Sequence, residues 1–203
     1  MEVYVCFCYN KMRVTIKNYE KSNTIKTREG KIMETMQGKK NIVLIGMPGA
    51  GKSTVGVVLA KRLGYRFLDS DLVIQEQTKK LLHELITEHG VDGFLKIEED
   101  INAGLDCEQA VIATGGSVIY GEKAMEHLRE IGCVVYLKLS YKEIEDRLGD
   151  LTARGVALKN GQTLKDLYDE RVKLFEKYAD ITVCEDNQKL EDTIESVLDA
   201  LGE

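Results

Sequence analysis

Several residue types and patterns are scarce in this chain of 203 residues. It has one proline, no tryptophan and five cysteines, and it lacks any run near the roughly 18 uncharged apolar residues that a membrane helix needs. The odd number of scattered cysteines favours reduced thiols in a cytosol over a disulfide framework. Cys6 and Cys8 have no second pair with which to complete a metal site. We therefore expect a cytoplasmic protein with no membrane partner.

Charge is distributed unevenly along the chain. Residues 1–40 carry nine Lys or Arg against four Asp or Glu, whereas residues 41–203 carry 19 against 30. A domain this acidic is a poor candidate for binding nucleic acid, whose phosphates need a basic face. Two interpretations of the basic extension are open. It is an arm for an anionic partner, or it is a disordered tail or the result of a misassigned translation start. The second interpretation is favoured because residues 9–40 show no sustained helix or strand period.

From residue 41 onward, the pattern predicts alternating strands and helices in one domain. Short apolar runs predict strands at residues 42–45, 66–69, 110–113, 133–139 and 181–183. Helical periods follow the first strand up to Gly64, then lie near residues 71–104, 121–131, 140–148, 163–179 and 190–201. This alternation implies an α/β fold with a parallel sheet covered on both faces. Residues 149–161 are predicted to form a mobile loop between two helices.

One segment matches the phosphate-binding pattern G-x-x-x-x-G-K-[ST]. Residues 46–54 read Gly-Met-Pro-Gly-Ala-Gly-Lys-Ser-Thr between a predicted strand and a predicted helix. Glycines let successive N–H groups point at phosphate oxygens, and the helix N-terminus adds its dipole. Lys52 would reach the β and γ phosphates, and the Ser53 hydroxyl would ligate Mg²⁺. The residues predicted to bind the nucleotide here are Gly49, Ala50, Gly51, Lys52, Ser53 and Thr54.

Two aspartates, Asp69 and Asp71, follow the second predicted strand. Because the carboxyl ends of parallel strands face the ligand crevice, we expect both side chains near the phosphate loop. One carboxylate can help to hold Mg²⁺ through water while the other orients an acceptor hydroxyl or takes its proton. The alternative is that Ser70 or Asp71 caps the next helix.

A signalling GTPase is disfavoured because the chain has no Asn-Lys-x-Asp motif. A mechanical ATPase is disfavoured because the apolar run 134–137 does not end in Asp.

Together these features resemble the shikimate kinase family of small P-loop kinases. The resemblance rests on the phosphate loop, the Asp69 and Asp71 pair, the turn at residues 113–117 and Arg154, in the family's order across residues 41–186. It implies a three-layer P-loop fold with a five-stranded parallel sheet of order 2-3-1-4-5 and a mobile lid. It also implies transfer of the ATP γ-phosphoryl group to the 3-hydroxyl of shikimate, a step of aromatic amino acid biosynthesis.

The resemblance implies roles for individual residues as well. Asp71 would hold the ring hydroxyls of the acceptor, and Asp69 would contact Mg²⁺ through water. Arg154 would reach from the lid to the transferring phosphoryl group. Arg147 matches the family's arginine that stacks on adenine, and Arg171 matches one that grips the acceptor carboxylate. The turn residues implied to lie against the acceptor are Gly115, Gly116 and Ser117, the first two through their N–H groups.

Arg171 has support from the residues alone. It lies in the middle of an apolar helical stripe formed by Leu164, Leu167, Tyr168, Phe175 and Tyr178. A cation on a core-facing stripe is costly unless it is paired, so an anionic ligand or a carboxylate should lie nearby. The alternative is a side chain that extends along the stripe to solvent.

Three departures from the family pattern concern the acceptor. The arginine of the family's Phe-Arg-x-x-Glu segment is Leu95 here, and losing a charge-assisted contact of roughly 1.5–3 kcal/mol would weaken shikimate binding about tenfold or more. Lys96 lies about 100° further round the helix and is a doubtful substitute. Ser117 stands where the family has a third glycine and adds a side chain on the acceptor side. The lid differs from the family's Arg-Pro-Leu-Leu at residues 154–157.

We therefore expect a monomeric kinase that uses ATP and Mg²⁺ to phosphorylate a small hydroxyl compound. Lys52, Asp71 and Arg154 are its predicted catalytic residues, and shikimate is the expected acceptor. Two alternatives stay open. One is a related kinase for another small hydroxyl compound, which Leu95 favours, and the other is a nucleotide-binding module without transfer activity.

Overall fold

The structure, a computed structural model, describes residues 3–7, 10–14, 39–148 and 162–202. Within these residues it contains seven strands and seven α-helices. The strands are β1 (Val3–Phe7), β2 (Asn10–Val14), β3 (Asn41–Ile45), β4 (Arg66–Asp69), β5 (Ala110–Ala113), β6 (Gly132–Lys138) and β7 (Ile181–Cys184). The helices are α1 (Lys52–Leu63), α2 (Ser70–Thr78), α3 (Leu82–Ala103), α4 (Glu122–Ile131), α5 (Tyr141–Leu148), α6 (Leu164–Tyr178) and α7 (Leu190–Leu201). A 3₁₀ turn, Val118–Tyr120, follows β5.

Strands β3 to β7 form one parallel sheet in the spatial order β4-β5-β3-β6-β7. Numbered within the sheet, this order is 2-3-1-4-5, so the predicted fold is confirmed. Leu44 of the central strand pairs with Ala113 on one side and with Val135 on the other. Strands β4 and β5 lie on one side of β3, and β6 and β7 lie on the other. Ligands of such sheets bind beyond the carboxyl ends of the strands where the strand order changes side. The phosphate loop begins there.

Burial follows the position of each strand in the sheet. Every residue of β3 and β5 is buried, and β6 is buried up to Leu137, as the continuous apolar runs predicted. The edge strands β4 and β7 are partly exposed. Helix α1 packs against α7, and α4 packs against α3. With this strand order, the general rule of right-handed crossovers assigns these two pairs to opposite faces, in agreement with the predicted three layers.

The helical segment predicted at residues 71–104 is divided into α2 and α3. Helix α2 ends where Lys79 adopts a left-handed conformation, with φ 56°. Helix α3 is bent at Gly90, whose φ of 69° is not helical. Helix α3 packs against the 3₁₀ turn that follows β5, and residues on both sides of the bend reach the site described below.

Strands β1 and β2 pair antiparallel, with Val3 opposite Val14. Strand β2 lies within residues 9–40, which show no sustained period, because the alternation in residues 10–14 is short and irregular. Cys8, the predicted lid at residues 149–161 and its Arg154 lie outside the described residues. Among the described residues, no helix has both the length and the apolar character to cross a bilayer.

Candidate active site

The phosphate loop joins β3 to α1 and has the backbone geometry of an anion cradle. Gly49 and Gly51 adopt left-handed φ angles of 82° and 79°, which residues with a side chain rarely adopt. Gly51 is the N-cap of α1, and no side chain caps this end of the helix. The first-turn N–H groups are thus available to a phosphate, which the helix dipole also favours. The Ala50 N–H closes the loop instead, because it donates to Met47 O at 3.1 Å.

Lys52 is the cation of this loop and is only 8% exposed. Its Nζ donates to the carbonyl oxygens of Gly46 at 2.9 Å and Met47 at 3.0 Å. Burial lowers the pKa of Lys52 to about 8, against the opposing field of the Asp71 carboxylate. No carboxylate in the described part of the chain forms an ion pair with this amine. Its charge is therefore available to a phosphate group.

Ser53 and Asp69, the predicted Mg²⁺ ligands, lie in direct contact. The Ser53 hydroxyl donates to Asp69 Oδ2 at 2.8 Å. The described residues contain no group of three His, Cys, Asp or Glu side chains that would hold a metal alone. One hydroxyl and one carboxylate suit Mg²⁺, which typically takes few protein oxygens and completes its shell with phosphate and water. The donor set therefore fits a Mg²⁺ ion that arrives with a nucleotide.

Asp69 also caps helix α2. Its Oδ1 accepts a hydrogen bond of 3.0 Å from the Asp71 N–H. The alternative cap by Ser70 or Asp71 is thus wrong: the Ser70 hydroxyl accepts from the Gly115 N–H at 3.3 Å, and the Asp71 carboxylate is left for another role. The two oxygens of the Asp69 carboxylate thus contact the Ser53 hydroxyl and the N-terminus of α2, which holds Asp69 in a single orientation.

Asp71 faces the turn after β5. At Gly115 and Gly116 of this turn there is no room for a side chain. A Cβ on Gly115 would collide with Glu98 Oε1 and would lie 2.8 Å from Asp71 Oδ1. A Cβ on Gly116 would lie 2.8 Å from Pro48 Cδ and 3.2 Å from Arg171 Nη1. Burial, and the nearby Asp69 carboxylate, raise the pKa of Asp71, while Lys52 opposes the shift. The turn thus brings the phosphate loop, two carboxyl groups and Arg171 together.

Arg171 is 5% exposed and lies on the buried face of α6. Its Nε donates to Tyr120 Oη at 3.4 Å, and its guanidinium carbon lies 5.4 Å from the centre of the Tyr120 ring. Within residues 39–148 and 162–202, no carboxylate forms an ion pair with it. The predicted alternative of a side chain that extends to solvent is wrong. A buried guanidinium with a neutral neighbour calls for an anionic ligand.

These groups line one cavity of about 420 Å³. Lys52, Ser53 and Thr54 of the phosphate loop bound one side, and Asp71, Glu98 and Arg171 lie on the acceptor side together with the turn at residues 114–117. The second half of α3 adds an apolar wall that includes Phe94 and Leu95. The arrangement can hold a polyphosphate at one end and a small anionic hydroxyl compound at the other.

Comparisons with known proteins agree with this geometry. The family model described as "SKI: Shikimate kinase" matches residues 48–202. The chain belongs to the shikimate kinase family. It is 35% identical over 175 residues to the shikimate kinase of Rippkaea orientalis, covering 84% of this chain and 92% of that protein. It is 39% identical over 142 residues to that of Clostridium botulinum, covering 68% and 84%.

A solved structure of the family aligns with the same part of the chain. The shikimate kinase from Acinetobacter baumannii in complex with shikimate superposes with a TM-score of 0.71 at 34% sequence identity. The match covers 79% of this chain and 91% of that one. The recognition of the family from the phosphate loop, the aspartate pair and the turn after β5 is therefore confirmed.

Leu95, which replaces the family's second arginine, lines the cavity and is half-buried. Lys96 does not compensate for the lost charge: it is exposed, and its Nζ bonds Asp100 Oδ1 at 2.8 Å and Glu99 Oε2 at 3.2 Å on the outside of α3. Among the described cavity residues, Arg171 is thus the one arginine on the acceptor side. The expectation that Lys96 is a poor substitute has a structural basis.

Ser117 lines the cavity beside Gly115 and Gly116, as the resemblance to the family implied. Its hydroxyl donates to Glu98 Oε2 at 2.6 Å, so the side chain is directed at α3. Arg147 lies on the other side of the phosphate loop: a Cβ on Gly49 would come within 3.8 Å of Arg147 Cβ. Arg147 Nε is 3.5 Å from Glu143 Oε2 and does not reach the cavity. Its role toward adenine stays a prediction.

Two cavity residues, Glu98 and Tyr120, were not identified as functional from the sequence. Glu98 had a signal, because it follows the cavity-facing Phe94 by four positions and Leu95 by three on one helical face. A charged residue on such a face is unusual, as it is for Arg171. Tyr120 lies in a 3₁₀ turn, where no periodic pattern separates an inward side chain from an outward one.

Proposed function

We propose that the chain is a shikimate kinase that transfers the γ-phosphoryl group of ATP to the 3-hydroxyl of shikimate. The observation that carries the proposal is the single cavity that joins Lys52 of the phosphate loop to Asp71 and Arg171. Membership of the family supports the acceptor, and Arg171 supports its carboxylate. Shikimate offers one carboxylate and three ring hydroxyls to these groups.

On the donor side, catalysis is positioning and charge neutralisation. Lys52 binds the β and γ phosphates, whose negative charge replaces its present contacts to Gly46 O and Met47 O. Ser53 and Asp69 would hold Mg²⁺, which supplies charge neutralisation when bound. Arg154 and Arg147 are proposed to contact the transferring phosphoryl group and the adenine, respectively.

On the acceptor side, Asp71 orients the attacking hydroxyl and accepts its proton. Its pKa is raised by burial, which makes the carboxylate a better proton acceptor than one in water. Arg171 binds the acceptor carboxylate and thereby fixes which hydroxyl faces the phosphate. The Gly116 N–H is the better placed of the two turn amides, because the Gly115 N–H already donates to the Ser70 hydroxyl.

The direct test is ADP formation from ATP and Mg²⁺ with and without shikimate. We expect turnover that saturates with shikimate. ³¹P NMR of the product should show the phosphate on the 3-hydroxyl. Saturating shikimate without turnover above background would contradict the proposal. A panel of small hydroxy acids and polyols then separates a kinase for another acceptor, which the apolar Leu95 favours, from a module that binds nucleotide and transfers nothing.

Leu95→Arg is expected to lower the KM for shikimate about tenfold or more, because it adds a charge-assisted contact beside the cavity. The KM for ATP should not change. Leu81→Arg is the matched control, since Leu81 is 51% exposed and does not line the cavity. Steady-state kinetics of both variants decide the matter. An equal effect of the two substitutions would mean that Leu95 does not face the acceptor.

We also propose that the enzyme acts as a monomer in the cytoplasm and binds no nucleic acid. The net negative charge of residues 41–203 disfavours a nucleic-acid partner.

A further inference from the structure

Glu98 is a buried carboxyl group with one satisfied and one unsatisfied oxygen. It is 1% exposed and lines the acceptor end of the cavity. Its Oε2 accepts the hydrogen bond from Ser117, whereas its Oε1 is buried without a hydrogen-bond partner. Such an atom is uncommon in folded proteins, because an unpaired buried acceptor loses its hydration without compensation. Its presence beside a ligand cavity suggests that a ligand supplies the missing donor.

The surroundings of Glu98 explain why no protein group fills this place. Its neighbour three positions earlier on the cavity face of α3 is the apolar Leu95. The adjacent cation, Lys96, is engaged on the outside of the helix. Arg171 and Lys52 act on Glu98 through space, without a hydrogen bond to it. Within the described residues, the Ser117 hydroxyl is therefore the donor to the Glu98 carboxyl group.

Ser117 fixes the direction in which the free oxygen points. Its backbone is held by the following 3₁₀ turn, where the Tyr120 N–H donates to Ser117 O at 3.0 Å. A carboxyl group is planar, so holding Oε2 also sets the position of Oε1. That oxygen lies against Gly115, on the side from which Asp71 Oδ1 also approaches. Two carboxyl oxygens thus converge on the space left by the missing Cβ of Gly115.

We propose that Ser117 is a positioning residue that holds Glu98 so that its Oε1 accepts a hydrogen bond from the acceptor hydroxyl next to the one that Asp71 binds. The ligand class is a carboxylate with neighbouring hydroxyls: Asp71 and Glu98 take the hydroxyls, and Arg171 takes the carboxylate. For shikimate, this inference rests on the proposed function and assigns Glu98 to the 4-hydroxyl. Contacts to hydroxyls thereby compensate for the carboxylate contact that Leu95 removes.

The titration of Glu98 provides a readout of the Ser117 contact. Burial, and to a lesser extent the Asp71 carboxylate, raise the pKa of Glu98 to about 7. The Ser117 hydrogen bond, Arg171 and Lys52 act in the opposite direction. An ionised carboxylate is the stronger acceptor, so kcat/KM for shikimate should fall as the pH drops through this pKa. Removal of the Ser117 hydroxyl should move that acid limb to higher pH.

The test compares Ser117→Ala with Ser117→Thr, which retains the hydroxyl. We expect Ser117→Ala to raise the KM for shikimate about three- to tenfold, with an unchanged KM for ATP and the shifted acid limb. Ser117→Thr should restore both values toward those of the wild type. Thermal unfolding of both variants checks that the fold is retained. In a third variant, Glu98→Gln, the amide does not titrate, so the acid limb of kcat/KM near pH 7 should disappear.

An acceptor analogue locates the contact on the ligand. The wild type should use 4-deoxyshikimate with a KM about three- to tenfold higher than that for shikimate, because the donor to Glu98 Oε1 is gone. With this analogue, Ser117→Ala should have no further effect. Wild-type activity together with unchanged KM and pH profiles in Ser117→Ala and Glu98→Gln would overturn this inference alone. A wild type that neither binds nor phosphorylates shikimate would overturn the proposed function as well.

Discussion

Replacing Asp71 by asparagine is expected to lower kcat for shikimate phosphorylation by about 10²- to 10⁴-fold, the usual contribution of a positioned proton acceptor. The amide keeps the shape of the side chain but cannot take the proton of the attacking hydroxyl. The affinity for ATP should change much less than kcat, because the phosphate loop is untouched and Lys52 loses only the field of the Asp71 carboxylate. Steady-state kinetics for turnover and calorimetry for ATP binding measure the two effects separately.

The fold of the Asp71→Asn variant should persist. The N-cap of α2 is Asp69, and the Asp71 side chain takes no part in that cap. Removing one buried charge also removes its desolvation cost, which offsets the lost interaction with the helix dipole. Asp100→Asn serves as the control, since this exposed carboxylate pairs with Lys96 outside the cavity. A kcat within threefold of the wild type, or a collapse in Tm, would contradict the assignment.

Local patterns predicted the fold because its central strands are buried on both faces. The apolar run at residues 42–45 is typical of a strand inside a covered parallel sheet, and the phosphate-loop motif marks the turn after it. The division of residues 71–104 into two helices was not predictable in the same way. It depends on a left-handed Lys79, a residue type that ordinarily continues a helix.

The N-cap of α2 shows where sequence reasoning stops. Asp69, Ser70 and Asp71 all have side chains that can cap a helix, and spacing does not choose among them. The choice depends on Ser53, 16 residues earlier, whose hydroxyl donates to Asp69 and orients it. The Glu98 contact depends in the same way on Ser117, 19 residues later. Such contacts follow from packing between elements, which no local pattern encodes.

The functional importance of Arg171 was predictable because the signal lies within one helix. A cation in the middle of an apolar stripe is anomalous wherever the helix packs, so the sequence alone indicated a ligand or a partner. The structure removes the alternative in which the side chain reaches solvent, since the residue is 5% exposed. It also identifies Tyr120 as the neutral neighbour, which the sequence did not indicate.

Replacing Arg171 by methionine is therefore expected to separate binding from stability. The loss of a buried charge-assisted contact, worth about 2–5 kcal/mol, should raise the KM for shikimate by roughly 30-fold or more, with an unchanged KM for ATP. Without ligand, the same substitution removes a buried charge that has no ion-pair partner among the described residues, so Tm should stay constant or rise. Arg171→Lys keeps the charge but loses the bidentate geometry of the guanidinium group. Its KM for shikimate should therefore lie between those of the wild type and Arg171→Met. An unchanged KM for shikimate, or a fall in Tm that accounts for the lost activity, would mean that Arg171 supports the fold and not the acceptor.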